Sequence, residues 1–172
     1  GNYNTVVGDE AGTAITTGSA NIALGNGALK TEDTASHNTA IGFSSLGLNN
    51  GGLYNVAVGN YSLDANTTAS NNTALGYSAL TANTTGTYNV AVGATALAAN
   101  TTASNNTALG YLTLTANTTG KCNVAMGSTA LGSCTTGNNN TAIGSGEYGV
   151  SPAALNSLTT GSDNTAVGKS AL

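Results

Sequence analysis

Arginine and tryptophan are missing from this 172-residue chain, and lysine (3), histidine (1), proline (1) and phenylalanine (1) are nearly so. Charged residues make up 6%, against roughly 25% in ordinary soluble domains, so a conventional enzyme is a poor expectation. Three lysines cannot neutralise a run of phosphates, which argues against nucleic-acid partners and against an anionic membrane surface. No window approaches 18 consecutive apolar residues, so membrane insertion is not expected, and Gly1 opens neither a basic nor an apolar leader. We read the chain as a mature product or an excised piece. Disorder is also a poor fit, because 40% of residues are apolar and the net charge is only -4.

What the chain has instead is glycine, asparagine, threonine and alanine in strict repetition. The segment Asn-(Thr/Val)-Ala-(Val/Leu/Ile/Met)-Gly opens at Asn38, Asn55, Asn72, Asn89, Asn106, Asn123 and Asn140, every 17 residues. Degenerate copies at Asn4 and Asn21 keep the spacing, and another opens at Asn164 after a gap of 24. Helical periods fail, since glycine recurs in each copy and β-branched residues precede it.

With the repeat Asn as position 0, position 3 reads Val7, Leu24, Ile41, Val58, Leu75, Val92, Leu109, Met126, Ile143 and Val167. Position 8 reads Leu29, Leu46, Leu63, Leu80, Leu97, Leu114, Leu131, Tyr148 and Leu172. These two columns are the expected core. Positions 1 and 3 should share one face of a short strand and the alanine at position 2 the other, with a second short strand carrying position 8.

One such unit cannot bury its own apolar face, whereas stacked copies can. The expected fold is all-β, a parallel β-solenoid of about ten 17-residue coils. It would form one domain over residues 1–172, with an insertion at about 145–158. At ~4.8 Å per coil, the rod would be about 45 to 50 Å long. A finer 34-residue alternation of large and small side chains, as in Phe43, Asn60, Tyr77, Ala94, Tyr111, reads as duplication of a two-coil unit.

The segments Asn71-Asn72-Thr73-Ala74-Leu75-Gly76, Tyr88-Asn89-Val90-Ala91-Val92-Gly93 and Asn139-Asn140-Thr141-Ala142-Ile143-Gly144 resemble the head repeat of trimeric autotransporter adhesins. The stretch 72 to 86 is also similar to repeats of phage tail fibres. The resemblance implies a left-handed β-roll, assembled as a trimer and used for attachment. On residues alone, the alanine column has two readings, a face for close approach of another chain or the filling of a narrow second interior. The resemblance favours the first, with Ala40, Ala57, Ala74, Ala91, Ala108, Ala125 and Ala142 as the assembly interface.

Other motifs carry less. Gly144-Ser-Gly146-Glu-Tyr-Gly149 matches a dinucleotide-binding pattern and precedes a possible short helix at Ser151-Pro152, but no βαβ unit surrounds it, so no cofactor is expected. His37 lacks partners for a triad or a zinc site, and no catalytic or metal-binding residue is assigned. Cys122 and Cys134 could form a disulfide if their corners adjoin, or serve as small fillers or an interchain link. Asn-Thr-Thr at Asn66, Asn83, Asn100 and Asn117 matches a glycosylation pattern, yet reads better as stacked Asn and Thr ladders.

The expected function is a non-enzymatic structural and adhesive fibre module of a phage tail fibre or bacterial surface adhesin. It would be extracellular, at a cell surface or on a virion, with self-association and a glycan or protein receptor as its partners. Candidate receptor contacts are Tyr61, Tyr77 and Tyr111 on the flank, and Glu147 and Tyr148 in the insertion. The alternatives are a self-assembling extracellular filament and, behind it, an ice-binding solenoid.

Overall fold

The structure, a computed structural model, describes residues 1–31, 34–149 and 151–171. Ten three-residue strands follow one another: β1 (Thr5–Val7), β2 (Ile22–Leu24), β3 (Thr39–Ile41), β4 (Val56–Val58), β5 (Thr73–Leu75), β6 (Val90–Val92), β7 (Thr107–Leu109), β8 (Val124–Met126), β9 (Thr141–Ile143) and β10 (Thr165–Val167). They form one parallel sheet in sequence order, each strand pairing in register with the next so that equivalent repeat residues stack. The chain is therefore a β-solenoid, and among the described residues it has no helix.

Each strand ends at the position-4 glycine. Gly76 has φ of 136°, and a Cβ there would lie 2.7 Å from the backbone of Gly93 in the next coil, so any larger residue would push two coils apart. The chain then turns with left-handed backbone at positions 6, 8 and 16, as in Tyr61 (φ 59°), Leu63 (φ 50°) and Asn71 (φ 61°). Among the described residues, no second strand carries position 8. The leucines sit in that turn and bond from coil to coil, the Leu63 N–H donating to the Ala79 carbonyl and the Leu80 N–H to the Ala96 carbonyl, both at 3.0 Å. A leucine with positive φ costs about 1–2 kcal/mol, while its full burial returns about 1.5–3 kcal/mol.

Half of the expected core is inverted. The position-8 leucines from Leu29 to Leu131 are fully buried in one column, but position 3 faces outward, with Leu75 45% exposed. The interior partner of each leucine is the position-2 alanine, which is 0% exposed from Ala23 to Ala142. A single tightly wound coil encloses a narrow lumen. One leucine and a facing methyl group fill it, together with the small residue at position 7, such as Ala79 or Ala96, and a second branched side chain per coil has no room. The β-branched residues at positions 1 and 3 still favour the strand, but from its outer face.

Two buried asparagine ladders complete the interior. At position 0, the Asn55 N–H donates to Asn38 Oδ1 (2.9 Å) while Asn55 Nδ2 donates to the Ala69 carbonyl of its own coil (2.8 Å). At position 11, Asn66 Nδ2 donates both to Asn49 Oδ1 (2.7 Å) and to the Ala69 carbonyl (3.0 Å). The expected threonine ladders are only half realised. Position-12 hydroxyls donate to backbone carbonyls of the next coil, as Thr84 Oγ1 does to Thr101, whereas the position-13 threonines Thr68, Thr85, Thr102, Thr119 and Thr136 are exposed.

The position-11 ladder stops at Asn117, whose Oδ1 is the one buried side-chain polar atom without a partner among the described residues, because Cys134 stands where the next asparagine would donate. A one-way ladder must leave its last acceptor open. Replacing Asn117 with Ala would pass that open acceptor to Asn100, leaving the number unchanged. Replacing Asn83 with Ala would open a second one, at Asn66. Chemical denaturation should therefore show Asn83→Ala to be less stable than Asn117→Ala by about 1–3 kcal/mol, the cost of one buried unsatisfied group.

Candidate functional site

Because the alanines are inside, they cannot form an assembly face: Ala40, Ala57, Ala74, Ala91, Ala108, Ala125 and Ala142 are all sealed against the leucine column. The surface that the sheet does present is its outer face, positions 1 and 3. From Thr39 and Ile41 to Thr141 and Ile143 this band consists of Thr, Val, Ile, Leu and Met, without a charged side chain.

Beyond the glycine corner runs an aromatic track. Phe43 and Tyr61 meet edge to face at 5.2 Å, and Tyr61 and Tyr77 at 6.1 Å, in three successive coils. Ala94 interrupts the track before Tyr111, which contacts Tyr148 edge to face at 6.4 Å. Tyr61, Tyr77, Tyr111 and Tyr148 are all exposed, so the structure gathers the candidate contacts along one flank in two groups, with Tyr148 placed over the second. His37 lies elsewhere, exposed at position 16 and stacked on Tyr54 at 5.0 Å.

The insertion departs from the expected register. Tyr148 does not take the position-8 place; it is 71% exposed, and Leu155 fills the core in its stead. The Ala154 N–H donates to the Gly144 carbonyl across ten residues, a bond that spans three in the regular coil from Ala79 to Gly76. The added residues thus fall between the glycine corner and the buried leucine. Glu147 and Ser151 pair as a small antiparallel hairpin, each N–H donating to the other's carbonyl at 2.9 Å, with Gly149 (φ 77°) in the turn. No helix follows at Ser151-Pro152, and the glycines of the dinucleotide-like pattern serve the coil corner and this hairpin. Leu172, assigned to the leucine column by sequence, lies outside the described residues.

Under the hairpin is a cleft of about 420 Å³. One coil contributes Leu112 and Thr115, the next Thr129 and Ser133, and the insertion Glu147, Tyr148 and Asn156. Gly132 keeps it open, since a Cβ there would lie 3.0 Å from Asn156 Oδ1. Sequence reasoning had Glu147 and Tyr148 but missed the floor. Leu112, Thr115 and Ser133 belong to ordinary coil positions, and only the folded hairpin selects them.

The two cysteines are free and do not adjoin. Cys122 is exposed in the His37 column, while Cys134 is buried in the asparagine column, so the disulfide is not formed. Burial pushes the Cys134 thiol above its ordinary range, partly countered by a backbone hydrogen bond from Gly137. The Asn-Thr-Thr asparagines Asn66, Asn83, Asn100 and Asn117 are 0% exposed, which closes them to glycosylation in the folded chain. No protein-family profile, curated protein or solved structure matches the chain.

A second depression, of about 320 Å³, lies near Lys30, Ser44, Leu48 and Asp64. Lys30 Nζ is paired there with Glu10 Oε2 (2.6 Å) rather than with Asp64, whose carboxyl burial pushes above the ordinary range. A raised folded-state pKa means that the folded chain binds this proton more tightly, so stability falls as pH rises through that window. Asp64→Asn should raise the melting temperature at pH 7 and leave it nearly unchanged at pH 3, measured by thermal denaturation at both values.

Proposed function

We propose that the chain is a non-enzymatic structural and adhesive rod, a module of a phage tail fibre or a bacterial surface adhesin, working outside the cell at a cell surface or on a virion. The observation that carries this reading is the outer face of the sheet. A charge-free band of Thr, Val, Ile, Leu and Met runs along successive coils on a scaffold held together by two buried asparagine ladders. A contiguous band of partly exposed apolar side chains suits a contact surface. Its regularity suits a second copy, since identical rods offer one another the same repeat.

The resemblance to adhesin heads and tail-fibre repeats points the same way and favours a trimer, now joined through positions 1 and 3 instead of the alanines. The sequence adds that no Asp, Glu, Lys, Arg or His occurs between Ala65 and Gly120, which removes the usual groups for proton transfer from the middle of the rod.

Native mass spectrometry and sedimentation should give a closed oligomer. Val92→Glu with Leu109→Glu should reduce it to single chains, with unchanged circular dichroism because both side chains point outward from the coil. A monomer at high concentration would overturn the assembly, and an open series of masses would indicate end-to-end filaments instead.

A further inference from the structure

We propose that the cleft under the insertion hairpin is a saccharide-binding site that selects neutral sugars. This rests on the attachment reading above and names the chemistry of what is attached. The cleft has the size of a small-molecule site, about 420 Å³ within a usual span of roughly 300–1,000 Å³. Its groups are those that recognise a ring with an apolar face and a hydroxyl rim. Tyr148 presents an exposed phenol ring, braced edge to face by Tyr111 at 6.4 Å, against which the C–H face of a pyranose can lie.

Around it, Glu147 accepts hydrogen bonds, Asn156 both accepts and donates, and the Thr115 and Ser133 hydroxyls do either, matching the mixed demand of sugar hydroxyls. The Glu147 carboxylate makes no hydrogen bond or ion pair among the described residues, so it is available to a ligand. Apart from the Tyr148 ring, only Leu112 and Pro152 give the lining apolar bulk, and the remaining side chains are polar or small.

Charge sets the selectivity. None of the chain's lysines, Lys30, Lys121 and Lys169, lines the cleft, and Glu147 places a negative charge in it. A carboxylated, sulfated or phosphorylated sugar would be repelled without compensation, while a neutral one would not. The site is also shaped in advance. Its floor is ladder-bonded coil, and its roof is a hairpin closed by the reciprocal Glu147 and Ser151 bonds, so little ordering is required on binding.

The test uses the full chain with a panel of neutral oligosaccharides of glucose, galactose and N-acetylglucosamine, and their sialylated or sulfated counterparts, read by saturation-transfer NMR and titration calorimetry. Binding to cells is measured in parallel. The expected result is binding of at least one neutral sugar, weakened at least tenfold by Tyr148→Ala. Glu147→Gln should narrow the gap between neutral and acidic sugars. Both residues are exposed, so neither variant should disturb the fold.

The inference fails if no sugar binds, if acidic sugars bind best, or if Tyr148→Ala is without effect while Tyr61→Ala with Tyr77→Ala abolishes binding. Cell binding that persists in any of those cases leaves the attachment reading standing. Absence of both sugar binding and cell binding by the unaltered chain would sink both.

Discussion

The repeat asparagine at position 0 performs two closures with one side chain, and the rest of the fold depends on it. Its Nδ2 reaches the carbonyl fourteen residues ahead, fastening the end of a coil to its beginning, as Asn72 does to Gly86 at 2.9 Å. Its Oδ1 takes the backbone N–H of the next repeat asparagine, fastening that coil to its neighbour, as Asn72 does for Asn89 at 2.9 Å. Without the amide, the buried N–H of the next repeat asparagine would lose its acceptor, and the end of the coil would lose one of its ties to the beginning. The amide needs the lumen's polar corners, and that leaves only the leucine column to supply bulk apolar burial.

This division of labour explains what could be read from sequence and what could not. The 17-residue period fixed the stacking register, the strand at each Thr/Val-Ala-Val/Leu triplet and the burial of Leu80, Leu97 and Leu114 in one column. It could not say which strand face is inside, because alternation has two solutions. The larger side chains at position 3 suggested the wrong one. The deciding quantity was lumen width, which depends on left-handed turns at leucine and threonine, residues that do not ordinarily signal such turns. The same blindness placed Tyr148 in the core column by counting, whereas the chain counts coils by hydrogen bonds and passed over the hairpin to reach Leu155.

The candidate site was legible to the extent that it broke the pattern. Glu147 and Tyr148 stood out because they sit in the one coil longer than its neighbours, and tyrosines stood out against a background of small residues. Thr115 and Ser133 did not, since each is an unremarkable member of its column until a hairpin one or two coils later in sequence folds over it. In a repeat array, position in the unit predicts burial well and partnership poorly.

The asparagine ladders also run one way. At both positions the donor belongs to the later coil and the acceptor to the earlier one, from Asn21 on Asn4 through Asn164 on Asn140 at position 0, and likewise from Asn66 on Asn49 at position 11. A finished coil therefore holds out carbonyl oxygens in the direction of synthesis, and each coil emerging from the ribosome brings the N–H groups that complete them. The array can be laid down vectorially, every coil templated by the one before it, with contacts that never wait for a distant part of the chain.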